Sequence, residues 1–179
     1  MNTSDEDLAR DAAAGDREAF AALVARHYER LFRLAFRLTG QRAEAEDLTQ
    51  DICLALPTKL QGFRADARFV TWMYRVAFNA AKDRHRRQQS QCRAAVGWGE
   101  VETGRRAEAI ERAEGLDWLT TAMRALPQDL RDTLALVLED EMTHVEAAEV
   151  LGVSEGTVSW RLSEARKRLR ALSEEERNS

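Results

Sequence analysis

Apolar residues return along this chain at intervals of three and four, the spacing of one face of a helix. Phe20, Leu23, Val24, His27, Leu31, Leu34, Ala35 and Leu38 predict a helix from Arg17, with Asp16 as its N-cap and Glu18 in the first turn. Gly40 stops it. Leu48, Ile52, Cys53 and Leu56 predict a second helix over 43–56, which Pro57 kinks or ends. Asp66 can cap a third helix from Ala67 to Arg87, with Phe69, Trp72, Met73, Val76, Ala77 and Ala80 on one side. Periodicity fails over 88–106, where QQSQ, GWGE and ETG stand, so that segment reads as a linker. Patterning resumes from Ala107 to Ala125. Pro127 then opens a helix containing Leu130, Leu134 and Val137. A break at Glu139–Glu141 precedes helices at 143–151 and 154–172.

The expected fold is therefore all-α: two small helical domains, 17–87 and 107–172, joined by a flexible linker. Residues 1–16 read as a loosely held arm and 173–179 as a frayed tail. Abundant Ala, Leu, Arg and Glu and the lack of long β-branched runs agree. No apolar stretch is long enough for a membrane span. The acidic start MNTSDEDLAR lacks the basic-then-apolar pattern of a secretory signal, so a cytoplasmic protein without membrane insertion is expected.

The formal net charge of −4 argues against nucleic-acid binding only until it is mapped. Residues 17–90 hold fourteen Lys/Arg against eight acids, whereas 116–179 hold eight against thirteen. Within that acidic half, Arg166-Lys167-Arg168 and Arg170 form a basic cluster. Cys53 and Cys92 show no zinc-ligand spacing, and His27, His85 and His144 are scattered. No phosphate-binding, serine-nucleophile or HExxH signature occurs. No metal, cofactor or catalytic residue is expected, and the chain does not read as an enzyme.

THVEAAEVLGVSEGTVSWRLSEARKRL has the layout of a helix-turn-helix. Ala148 lets the second helix approach. Gly152 supplies the left-handed turn, and Val158 packs the second helix on the first. Ser154 caps the recognition helix. Its N-terminal part belongs in a major groove, which makes Ser154, Glu155, Thr157, Ser159, Trp160 and Arg161 candidates for the bases. Arg166 and Lys167 suit phosphates.

The third helix mixes Phe63, Phe69, Trp72, Tyr74 and Phe78 with Arg and Lys. Aromatics beside positive charge can hold unstacked bases, although the spacing of Phe69, Trp72 and Val76 also fits a core face. Taken together, AEDLTQDI (45–52), FRADARFVTWMYRVAFNAAKD (63–83) and LPQDLRDTLAL with the helix-turn-helix resemble, in the same order, the conserved segments of bacterial sigma factors of the extracytoplasmic-function (ECF) type.

The resemblance implies a dissociable subunit that brings core RNA polymerase to promoter DNA, commonly under the control of an anti-sigma protein. Glu46, Asp47, Leu48, Gln50 and Asp51 would meet the clamp of the largest polymerase subunit, where an acidic surface suits a basic coiled coil. The C-terminal domain would meet the flap of the second-largest subunit and read the −35 element. The loop 61–66, led by Arg64 with Asp66, would pocket a flipped base of the −10 element. Trp72, Tyr74, Asn79, Lys82 and Arg86 would contact the −10 DNA.

Glu164 and Trp160 depart from the family's usual residues. Glu164 either accepts from a cytosine or pairs with Arg161 or Arg168. Two other readings stay open. A decoy for an anti-sigma protein would have lost the recognition-helix basic residues, which remain here. A helix-turn-helix repressor would leave 45–52 and the aromatic-basic helix unexplained.

Overall fold

The computed structural model of the chain describes residues 3–95, 118–138 and 142–177. Eight α-helices are present among these residues: α1 (Asp5–Ala13), α2 (Arg17–Thr39), α3 (Arg42–Leu60), α4 (Phe69–Ala95), α5 (Trp118–Ala125), α6 (Gln128–Val137), α7 (His144–Leu151) and α8 (Glu155–Arg177). There is no strand among the described residues, and none of their helices is long and apolar enough to cross a membrane.

The first unit buries Leu23, Leu31 and Leu34 of α2 against Leu48, Ile52 and Leu60 of α3 and Phe69, Met73 and Ala77 of α4. In the second, Leu130 and Leu136 of α6 close on Ala147 of α7 and on Val158, Leu162 and Ala165 of α8. Each such large side chain contributes about 1.5–3 kcal/mol by leaving water.

Helix α2 begins and ends as the pattern predicts. Asp16 accepts from the N–H groups of Glu18 and Ala19, and Gly40 takes φ 71° at the C-terminus. A side chain at Gly40 would also strike Arg124, whose guanidinium donates to the Gly40 carbonyl from the other unit.

Elsewhere the boundaries move. Residues 5–13 form a helix rather than a loose arm: Ser4 caps α1, and Leu8 and Ala9 are buried. Helix α3 runs through Pro57 to Leu60. The proline lacks an N–H for its turn, yet Leu56 and Leu60, one turn apart, are both buried and hold the helix together. Helix α4 starts two residues later than the pattern predicts and continues to Ala95, so 88–95 is helix, not linker. Helix α8 extends to Arg177 through most of the expected tail. The expected linker beyond Ala95, the helical onset at Ala107 and the break at Glu139–Glu141 lie outside the described residues.

The carboxylate of Asp5 ties the start of helix α1 to α2. Asp5 accepts from Arg26 at 2.5 Å and lies 2.8 Å from Nε2 of His27, which is 2% exposed. Nδ1 of His27 faces a guanidinium N–H of Arg30 at 3.3 Å. Nδ1 therefore accepts, Nε2 carries the proton, and the ring is neutral. Burial pushes its pKa below the ordinary value, and Asp5 offsets part of that shift.

The folded protein thus binds this proton less readily than the unfolded chain. Stability from this site is present above the unfolded pKa of 6.5 and is lost as pH falls toward the depressed folded value. Between pH 7.5 and 5.5 the unfolding free energy from urea melts should drop, by up to about 1.4 kcal/mol per pH unit, and His27→Gln should flatten this dependence. An identical slope in that variant would assign it to other groups.

Candidate nucleic-acid interface and docking face

The helix-turn-helix is built as its spacing predicts. Thr143 and Glu146 form a capping box at the start of α7. Gly152 takes φ 69° and returns its N–H to the Ala148 carbonyl. Ser154 Oγ accepts from the Thr157 N–H at 3.2 Å and so caps α8. Ala148 and Val158 are buried between the two helices.

Ser154, Glu155, Ser159, Trp160, Arg166 and Lys167 are exposed, with Trp160 at 61%, while Thr157 is half-buried. Ser159 lies 3.2 Å from Nδ1 of His144 on α7. Arg161 departs from the expected outward face: its guanidinium pairs with Asp129 of α6 at 3.5 Å and is largely covered. Glu164 pairs with Arg168 at 3.0 Å, one of the alternatives the spacing left open.

On α3, Asp47, Gln50 and Asp51 project to one side, and Leu54, 81% exposed, continues that stripe. Leu48 does not belong to it. It is 1% exposed and points into the core with Ala45 and Ile52, so it cannot meet a partner. Glu46 is half-buried and pairs with Arg42 at 2.9 Å. Arg84 of α4 reaches Asp47 at 3.3 Å and Asp51 at 3.4 Å, tying this face to the basic helix. Leu54 was not singled out from sequence, although it follows Asp47 by seven residues and Asp51 by three.

The candidates for −10 DNA do not share one surface. Arg64 and Asp66 are exposed on the loop before α4. Trp72 is half-buried against Phe63 and Phe69, with ring centroids 5.2 and 5.8 Å away. Tyr74 is 1% exposed and belongs to the core, because its helical phase turns it inward. Asn79 is exposed and borders a groove between α3 and α4 that Lys59, Arg84 and Arg87 also line. Arg86, on the same outward side, pairs with Asp83 at 2.8 Å. Lys82 instead borders a cavity of about 580 Å³ between the two units, together with His85, Arg131 and Asp132. Burial pushes the Asp132 carboxyl above the usual range there, and the Gln128 side chain and the Arg131 charge oppose it.

The two units touch through charged and polar contacts, and their buried apolar residues belong to one cluster. Glu146 accepts from Thr71 at 2.8 Å and pairs with Arg68 at 3.4 Å. Glu149 lies 3.9 Å from Arg75, and Arg37 donates to the Ala135 carbonyl at 2.9 Å. The first helix of the helix-turn-helix therefore lies along one side of α4. The desolvation that accompanies these contacts opposes ionisation of Glu146. Its bonds from Thr143 and Thr71 and the Arg68 charge outweigh that effect and hold the carboxyl below its ordinary pKa. Among the described residues no cluster of His, Cys, Asp and Glu can hold a metal ion.

Two family models match the chain: sigma-70 region 2 over residues 23–91 and sigma-70, region 4 over 116–169. The ECF RNA polymerase sigma factor SigM of Mycobacterium tuberculosis is 36% identical over 178 residues, covering 94% of this chain and 84% of its own. The ECF sigma-E factor of Escherichia coli is 30% identical and is covered over 91% of its length, with 92% of this chain aligned. Among solved structures, CnrH in complex with the cytosolic domain of CnrY superposes with a TM-score of 0.72 at 28% identity, over 96% of this chain and 98% of that one.

Glu146 does two jobs that can be separated. Arg68→Ala removes the ion pair between the units and leaves the capping box intact, whereas Glu146→Ala removes both. The first should raise the radius of gyration in solution scattering with little change in melting temperature. The second should also lower stability by about 1–2 kcal/mol. Equal melting temperatures for the two variants would contradict this division.

Proposed function

Because the chain belongs to the ECF RNA polymerase sigma factors, we propose a definite part for each of its surfaces in promoter recognition. Asp47, Gln50, Asp51 and Leu54 form the face that docks on the clamp of the largest polymerase subunit. The acidic positions steer and orient, and Leu54 contributes apolar area. Glu46 stands beside this face rather than in it. The observation that supports this reading is the projection of all four side chains from one side of α3.

The exposed start of α8, from Ser154 to Trp160, reads the −35 element, and Arg166 and Lys167 take phosphates. The segment 17–87 docks on polymerase and engages the −10 element; 107–172 meets the flap and the −35 element. The loop with Arg64 and Asp66 captures an unstacked −10 base, and Asn79 follows the melted strand along the groove it shares with Lys59 and Arg87. Melting proceeds by trapping unstacked bases and needs no catalytic group in this chain. The site of action is the cytoplasm, where polymerase and promoter are.

Control by an anti-sigma protein belongs to the same reading. CnrH is held in its solved complex by the cytosolic domain of CnrY. The contacts of Glu146 and Glu149 with α4 suit a closed form that such a protein would stabilise.

Asp47→Lys combined with Asp51→Lys should weaken binding to cognate core polymerase by tenfold or more, on the order of 1.4 kcal/mol. It should abolish transcription in vitro while the fold persists by circular dichroism. Unaltered core affinity would remove α3 from the docking role. Failure of the unmodified protein to direct initiation by its cognate core from any genomic promoter would overturn the reading as a whole. A stable dimer of the free protein in gel filtration would favour a repressor instead.

A further inference from the structure

We propose that α1 is the positioning element of the −10 loop, with Glu6 and Asp5 as its positioning residues; this rests on the reading that the loop carrying Arg64 and Asp66 captures a base. Phe69 is the first residue of α4, and its N–H lies among those a helix leaves without an internal partner. Asp66 was the expected cap. Instead, Oε1 of Glu6 accepts from the Phe69 N–H at 3.1 Å, across 63 residues of sequence. A carboxylate at this end of a helix is also favoured by the helix dipole.

The ring of the same residue is held from a second side. Phe69 is 1% exposed, and its centroid lies 5.2 Å from that of His27, the histidine fixed by Asp5. On its other flank Phe69 meets Phe63 edge-on at 5.8 Å, and Phe63 lies inside the loop. Adjacent carboxylates of α1 thus reach Phe69 by two routes, Glu6 to its backbone and Asp5 through His27 to its ring.

Between Phe63 and Phe69 the chain makes one unusual turn. Ala65 takes φ 58°, and it is the one non-glycine residue with positive φ among the described residues. Left-handed geometry is disfavoured at alanine and persists where the surroundings impose it. Arg64 and Asp66 flank this residue, so the turn sets their directions. What imposes it is the fixing of both ends. At one end the N–H groups of Gly62 and Phe63 donate to the carbonyls of Lys59 and Leu60. At the other, Glu6 holds Phe69. If Glu6 let go, the loop would keep its residues but lose its bearing.

The mechanism predicts damage to base capture without damage to polymerase docking. The test uses full-length protein on its cognate core polymerase, with a forked promoter fragment carrying 2-aminopurine in the −10 element. Glu6→Ala should weaken fork binding and depress the fluorescence rise about fivefold to tenfold, with core affinity within twofold of the parent. Glu6→Gln keeps an oxygen for the Phe69 N–H and should recover most of the loss.

Ala65→Val, whose branched side chain opposes positive φ, disturbs the turn without touching α1 or the core, and it should reproduce the defect. Combined with Glu6→Ala, it should be no worse than the stronger single change, since both act on one geometry. Strictly additive losses would overturn the proposal, as would fork binding by Glu6→Ala within twofold of the parent. Should Glu6→Ala fail to fold, Glu6→Asp, whose carboxylate is one methylene short of the Phe69 N–H, takes its place, and fork binding by it within twofold of the parent overturns the proposal. Arg64→Ala separates the two levels. A silent Arg64→Ala rejects the base-capture reading itself, while a damaging Arg64→Ala beside a silent Glu6→Ala rejects only the role of α1.

Discussion

Helix α4 has to satisfy three surroundings along 27 residues, and the rest of the structure is arranged around that demand. One side, with Phe69, Met73 and Ala77, is buried in the first unit. A second, with Thr71, Arg75 and, just before the first turn, Arg68, meets the carboxylates of α7. The third, with Asn79, Asp83 and Arg86, faces solvent. A helix turns by 100° per residue, so each side receives a residue every third or fourth position. Moving the start of α4 by one residue would rotate none of these assignments, but removing its anchor at Phe69 would loosen all three.

Features that depended on local spacing were legible in the sequence. Ala148, Gly152 and Val158 lie within eleven residues of one another, and the turn formed by their segment follows from that segment alone. The same holds for Asp16 and Gly40 at the ends of α2. What the sequence could not show was pairing at a distance. Helix α1 buries only Leu8 and Ala9 fully, with Ala12 and Ala13 partly covered against the core, too little for a pattern. Its stability comes from Arg26, His27 and the Phe69 N–H, far along the chain. Arg161 looked like a base reader until Asp129, thirty-odd residues earlier, took its guanidinium. Leu48 and Tyr74 are different. Leu48 shares a phase with Ala45 and Ile52 and was already among the apolar positions, so the pattern itself spoke against a contact role. A resemblance carried by whole segments includes both phases of a helix, and only the outward phase is available to a partner.

Charge explains how an acidic protein can hold basic surfaces without exposing them fully. The surplus acids of the C-terminal half are not spread evenly. Glu146 and Glu149 stand on Arg68 and Arg75, and Asp129 stands on Arg161. In the other unit, Asp47 and Asp51 stand on Arg84. Exposed pairs of this kind are each worth little, about 0–1 kcal/mol, and salt screens them. Their combined effect is nevertheless directional. A polyanion that approaches α4 or α8 must displace carboxylates already in place, which lowers affinity for DNA of arbitrary sequence.

Geometry carries the same point further. The −10 and −35 elements lie about 85 Å apart along a duplex rising 3.4 Å per base pair. Helix α4, at 1.5 Å per residue, is about 40 Å long, and α7 lies against its side. Two readers packed in this way cannot cover both elements at once. Parting breaks the Thr71–Glu146 hydrogen bond and the Arg68 and Arg75 pairs. The free energy of that opening is subtracted from whatever DNA contacts return. A polymerase that grips the two units at separate points supplies the opening beforehand. Promoter affinity then belongs to the assembled enzyme rather than to this chain alone.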